Sequence, residues 1–215
     1  PSLHLAHGLA LATPYTVHAA LHADRLAVFG ERGGEGYRDI GIDPARLAVT
    51  GNPAWDVYFG LKQEKPRVRE AVYAKYFLKK DAPLLVFGTT WAAFLNAGSY
   101  AAIYEQTLAV FLQACKALID AGKPVNIVIK DRPSNVEHGR QSAIRVATEV
   151  GLSPWQYVYT QDDTSLLVTA ADVLVSLDSN LSVEAMLAAT PAVNLMHELG
   201  QRMGPSFDAE SGILE

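Results

Sequence analysis

The chain has a single cysteine, Cys115, in 215 residues. One thiol excludes an internal disulfide and a zinc site built on cysteines. It sits in the apolar-periodic segment 107–118 and reads as core rather than nucleophile. No apolar run reaches the roughly 18 residues needed to span a bilayer. Nor does a basic start followed by an apolar core mark a secretion signal, so a cytoplasmic location is expected. Positive charge is not in excess: 18 Lys and Arg stand against 23 Asp and Glu, a formal net charge of −5. That balance gives no footprint for nucleic acid, although a small anion needs only a helix end and a local Lys or Arg. HExxH, GxSxG and GxxxxGK[ST] are all missing, which argues against a zinc protease, an α/β-hydrolase and a P-loop NTPase. His4, His18, His22, His138 and His197 have no partners at metal-ligand spacing, so no metal is expected.

What the chain does have is short apolar runs alternating with amphipathic segments. Strands are expected at 3–7, 25–29, 47–50, 84–87, 125–129, 157–160 and 173–176, with a last one after the Thr190-Pro191 break. Helices are expected at 66–78, 100–121, 134–150 (Ser134 as N-cap), 165–171 and after Asn180, with 14–22 a short helix or crossing. The glycine-rich 31–36 reads as a flexible turn before a short helix ending at Gly41, and 58–65 as a hinge. Strands without polar alternation, separated by helices, predict a doubly wound parallel sheet of the α/β class.

In such sheets ligands bind beyond the carboxyl ends of the strands. The polar turns there are Gly88-Thr89-Thr90, Lys130-Asp131-Arg132-Pro133, Gln161-Asp162-Asp163 and Asp178-Ser179-Asn180. Gly88 suits close approach of a phosphate, with hydroxyls from Thr89 and Thr90; the same residues also make a plain turn. Lys130 and Arg132 place positive charge on this rim, useful for a pyrophosphate or for a surface ion pair with Asp131 or Glu137. Ser179, Asn180 and Ser182 crowd a helix start, where orphan N–H groups favour either a phosphate or a simple cap. Glu184, in that first turn, can meet hydroxyls of the same ligand or complete a capping arrangement. Gln161 could edge a base, and His7 before Gly8 suits a general base or a phosphate contact.

The order of motifs resembles a known group. His7-Gly8, Ala23-Asp24 through Gly30, and Thr50-Gly51-Asn52-Pro53 with Asp56 come first; Leu84–Thr90 follows, then Ala171-Asp172 through Glu184-Ala185 and Pro191-Ala192-Val193. Together they are similar to GT-B-fold nucleotide-sugar enzymes: bacterial capsule and teichoic-acid-type surface polysaccharide transferases, and the related UDP-N-acetylglucosamine 2-epimerases. The resemblance implies a Rossmann-like donor nucleotide-binding domain at 61–215, expected to be truncated because its closing helix is not evident, plus the tail of an acceptor-side Rossmann-like domain and hinge at 1–60. Most of the acceptor domain would then lie outside this chain, as the initial Pro1 also suggests.

By the same resemblance Ser179, Asn180 and Ser182 hold the donor diphosphate, Glu184 the ribose, Gly88 and Thr89 flank the phosphates, and Gln161 lies near the base. His7 faces the cleft as a catalytic or substrate-contacting residue. Arg132 stands where the transferases carry a histidine, and Asn180-Leu181 with a single Glu184 departs from the epimerase donor site. The implied activity is glycosyl transfer from a nucleotide-activated sugar to a glycan or glycolipid, without cofactor, metal or nucleic acid, and with peripheral contact at the inner membrane through regions outside these residues. The alternatives are an epimerase-like isomerase and a non-catalytic nucleotide-binding module.

Overall fold

The computed structural model describes residues 1–5, 22–89, 98–132, 136–177 and 179–195. The expected segment 14–22 (apart from His22), Ser134, and the candidates His7 and Thr90 lie outside them. The chain divides into two compact units, Pro1–Asp56 and Val57–Glu215, a division four residues earlier than the expected one at 60.

In the first unit β1 (Leu3–Leu5), β2 (Arg25–Val28) and β3 (Leu47–Val49) form a parallel sheet in the order β1-β2-β3. The glycine-rich stretch is not a turn. It is helix α1 (Glu31–Asp39), despite a propensity cost of about 1 kcal/mol for each glycine in a helix interior. Burial explains the difference: Tyr37 joins Leu26, Val28 and Ile42 in the core of this unit. A Cβ on Gly34 would stand 3.7 Å from Val28 Cγ2, an ordinary van der Waals contact, so the helix packs on β2 at normal distance. Gly41, at φ +86, ends the turn that follows α1.

The second unit begins with another departure. The segment read as a hinge is helix α2 (Val57–Gln63), followed by α3 (Lys65–Lys75). Tyr58 is the buried residue of α2, and that anchor makes the segment part of the fold rather than a linker. Strands β4 (Leu84–Gly88), β5 (Asn126–Lys130), β6 (Val158–Thr160), β7 (Val173–Ser176) and β8 (Ala192–Asn194) then build one parallel sheet in the order β6-β5-β4-β7-β8. The helices between them are α4 (Gly98–Asp120), α5 (Val136–Val150), α6 (Thr164–Ala170) and α7 (Leu181–Leu187).

Side chains alternate between the two faces of this sheet. Phe87, Ile127, Ile129 and Val175 meet Leu108, Phe111, Leu112 and Cys115 of α4 and Ala143, Val146 and Ala147 of α5. Burial pushes the Cys115 thiol up to about 12, which suits a packing residue. The opposite face carries α7 on β7 and β8, with α6 between α3 and α7. The chain winds outward from β4 through β5 to β6, then returns to β7 and β8. The direction of winding therefore reverses between β4 and β7, and that is where an open α/β sheet holds its ligand.

Candidate functional site

Cross-strand register places Thr160, Lys130, Gly88, Ser176 and Asn194 in one row at the carboxyl ends of the five strands. Paired residues of parallel strands point to the same face. Here it is the face of α7, because a Cβ on Gly88 would lie 2.4 Å from Leu181 Cδ1. A Cβ at position 88 would displace the end of the Leu181 side chain at the start of α7, so the glycine and that leucine pack against each other.

Lys130 is the unusual member of the row. A lysine at the last rung of a central strand is only 5 % exposed. Its Nζ donates to the Asp131 carbonyl at 2.6 Å, and among the described residues its other two N–H positions find no protein partner. Burial holds the ammonium below the usual lysine range, opposed by the negative charges of Asp131 and Glu184. A desolvated, under-bonded cation that a carboxylate also senses is a receptor for negative charge.

At the start of α7 the predicted residues divide. Ser182 is fully buried and its hydroxyl shares a 2.8 Å hydrogen bond with Ser176 Oγ. Its side chain braces the turn against β7 instead of standing open to a diphosphate. Ser179 Oγ accepts from the Leu181 N–H at 3.3 Å, a local turn contact, while the Asn180 side chain makes no capping bond although Asn180 occupies the N-cap position. Glu184, half-buried in the first turn, accepts a short hydrogen bond from the Tyr58 phenol. Tyr58 was not among the sequence candidates. Nothing local marks it, since its partner is 126 residues away along the chain.

The opposite face carries a second polar knot. Asp131 is fully buried; its carboxylate accepts from Thr89 Oγ1, from the Arg132 backbone N–H at 2.7 Å and from the Tyr159 phenol. Thr89 is therefore turned towards Asp131, away from the row that holds Lys130. Burial, reinforced by the Asp131 charge, pushes the Tyr159 phenol far up, so it stays a donor. The Arg132 side chain is exposed at the rim, and Gln161 Nε2 donates to the Arg132 carbonyl at 3.0 Å. The structure thus gathers Gly88, Thr89, Lys130, Arg132, Gln161, Ser179, Asn180, Ser182 and Glu184 at the carboxyl ends of one sheet, while giving Thr89 and Ser182 to internal bracing. Among the described residues no group of three His, Cys, Asp or Glu side chains is placed to hold a metal, and no helix is long and apolar enough to cross a membrane.

No protein-family model matches the chain, and comparison with curated proteins returns no match. Solved structures do match. The chain is similar to a UDP-GlcNAc 2-epimerase from Neisseria meningitidis bound to UDP-GlcNAc, with TM-score 0.63 and 14% identity over 91% of this chain and 53% of that one. It is similar to a variant of the wall teichoic acid polymerase TagF, with TM-score 0.57 and 15% identity over 85% of this chain and 42% of that one. It also resembles MnaA of S. aureus in a structure with UDP, with TM-score 0.59 and 12% identity over 90% and 50% of the two chains. The chain has the Rossmann-like α/β fold of these GT-B proteins, and it spans about half their length.

Proposed function

We propose that this chain carries the donor-binding half of a GT-B glycosyltransferase, one that uses a nucleotide-activated sugar in building a bacterial surface polysaccharide. The observation that carries the reading is Lys130: a buried ammonium whose one hydrogen-bond partner among the described residues is the Asp131 carbonyl, on the last rung of β5, next to β4, which borders the reversal between β4 and β7. The UDP and UDP-GlcNAc named with two structural neighbours supply a ligand class that matches it.

In this reading the diphosphate neutralises Lys130 and reaches the backbone N–H groups near Ser179 and Asn180. Glu184 takes the ribose hydroxyls, and Gln161 lies towards the base. An acceptor hydroxyl attacks the anomeric carbon of the sugar as the bond from that carbon to the phosphate oxygen breaks. The bonding pair leaves on the nucleoside diphosphate, stabilised by Lys130 with the exposed Arg132 at the rim. The hydroxyl proton goes to a base on the acceptor side, a role His7 is chemically able to fill. A glycan or glycolipid is the acceptor class, met at the cytoplasmic face of the membrane.

Thermal unfolding in the presence of UDP-, CDP-, GDP-, dTDP- and CMP-linked ligands tests the reading, because a ligand specific to the native state raises its stability by mass action. At least one diphosphate-linked ligand should raise the midpoint in the wild type and fail to do so in Lys130→Met. No rise with any of them discards the reading. Addition of an acceptor then separates transfer from epimerisation: a transferase releases free nucleoside diphosphate, whereas an epimerase keeps the diphosphate joined to its product.

A further inference from the structure

The contact between Tyr58 and Glu184 joins the first helix of the second unit to the first turn of α7, across 126 positions of sequence. Tyr58 is 2 % exposed, and it is the one residue that α2 buries. Its ring could be held by packing alone, yet its phenol ends on a carboxylate oxygen. Glutamate has three rotatable bonds, and each hydrogen bond to its carboxylate narrows the rotamers it visits. From the geometry we infer that Tyr58 is a positioning residue, whose hydroxyl fixes the Glu184 carboxylate in the orientation that selects a ribose over a sugar lacking its 2′ and 3′ hydroxyls. The inference rests on the reading of Glu184 as the ribose contact.

Three features favour positioning over simple packing. First, the contact is donor to acceptor in the right sense: the phenol donates and the carboxylate accepts. Second, burial and the adjacent negative charge push the Tyr58 phenol far up, so it remains a donor throughout the working pH range. Third, α2 packs on both α6 and α7, so the donor is held on a braced element and does not follow the carboxylate as it moves. A preorganised acceptor loses less rotational freedom when ligand arrives, and that benefit falls on the hydroxyl-dependent part of affinity.

The test compares UDP, CDP and GDP with their 2′,3′-dideoxy analogues, measured by calorimetry on the wild type, Tyr58→Phe and Glu184→Ala. Phenylalanine keeps the ring and loses only the hydroxyl. If the inference holds, the wild type prefers at least one ribonucleotide by about tenfold or more, the size of a hydrogen bond to a charged group. Glu184→Ala abolishes the preference, and Tyr58→Phe reduces it to within about threefold, with affinity for the dideoxy analogue unchanged in both. Preference lost in Glu184→Ala but retained in Tyr58→Phe overturns the positioning role and leaves the ribose contact standing. Preference absent from the wild type, or untouched in Glu184→Ala, overturns the ribose contact and the inference with it. Hydrogen exchange in the wild type supplies a reading that needs no variant. The ribonucleotide should slow exchange across 57–63 more than its dideoxy analogue at equal saturation; equal protection by the two contradicts the inference.

Discussion

The two ends of the five-stranded sheet treat polar groups in opposite ways. At the amino ends, Asp172 accepts the Leu84 N–H at 2.7 Å and Arg69 at 2.8 Å, while Arg69 also donates to the Ala170 carbonyl at 3.0 Å. Asn126 accepts from the Lys79 N–H and donates to the carbonyls of Lys79 and Ala82, all at 2.9 Å. Tyr73 donates to the Ala82 carbonyl at 2.8 Å. These side chains tie off backbone that would otherwise be orphaned where strands begin. At the carboxyl ends Lys130 is more deeply buried than Arg69 and has fewer partners among the described residues. The amino-end groups are saturated by the protein, while Lys130 has donors left over among the described residues, which is the difference the proposed ligand would use.

Breaking the amino end should cost the most stability. Asn126→Ala removes three hydrogen bonds. The Ala82 carbonyl keeps Tyr73 and the Lys79 carbonyl keeps the Ala82 N–H, so the expected loss is about 3 kcal/mol at most, at roughly 1 kcal/mol for each bond. Urea unfolding measures it, and nucleotide binding at 25 °C should not change. A loss well under 1 kcal/mol, or weakened nucleotide affinity, would erase the distinction between the two ends.

The converse experiment is Lys130→Met, at the carboxyl end. Stability should change by less than about 1 kcal/mol, since an apolar chain of similar length replaces a charge that was costly to bury. Affinity for the nucleoside diphosphate should fall by tenfold or more, about 1.4 kcal/mol or above. A pH series sharpens the point. The folded lysine lies below the ordinary 10.5 because burial disfavours its charge, so between the folded value and 10.5 the unfolded chain holds more protons. Wild-type stability should therefore rise with pH through that interval, and Lys130→Met should lack the rise. Above 10.0 the buried tyrosines act the other way, because their folded values lie above the ordinary one and stability declines as the unfolded phenols ionise.

Ser182→Ala probes a residue that the motif alone would place on the ligand. Its hydroxyl is fully buried against Ser176, so the expected result is a stability loss of about 1 kcal/mol, the net worth of one hydrogen bond. Nucleotide affinity should shift less than it does in Lys130→Met. If the order is reversed, Ser182 contacts phosphate after all and the buried pair must open on binding.

These contrasts explain what the sequence could and could not reveal. The alternation of apolar runs with amphipathic segments exposed β4 to β8 and their helices, because parallel strands covered on both faces carry a strong, local signal. The polar turns after β4, β5, β6 and β7 could be recognised as one rim for the same reason. What stayed hidden depended on long-range packing. Gly88 looks like any phosphate-loop glycine until Leu181 is seen above it, and Tyr58 looks like one aromatic in a short amphipathic stretch. The run from Gly30 to Gly36 argues for a turn by propensity, yet the burial of Tyr37 against Leu26 and Val28 pulls it into α1. Side-chain direction at Thr89 and Ser182 was equally invisible, for it follows from which face of the sheet each residue reaches.

The smallest expected effect lies behind the knot around Asp131. Tyr104 of α4 is 2 % exposed, and among the described residues its hydroxyl has no hydrogen-bond partner. Burial first, then the Asp131 charge, pushes its phenol well above the ordinary value, so it is a neutral donor across neutral pH. Thr89, Tyr159 and the Arg132 N–H are the donors that the nearby carboxylate accepts from. A buried hydroxyl without a partner costs free energy that its removal returns. Tyr104→Phe retains the ring that meets Phe87 at 6.4 Å between centroids. The variant should gain about 1 kcal/mol at most, seen as a small rise in the thermal midpoint, with nucleotide affinity unchanged. A loss of stability instead would mean that the phenol is hydrogen-bonded in solution. A drop in affinity would carry the ligand site through the sheet to the α4 face, and the receptive part of the carboxyl end would have to include the Asp131 knot.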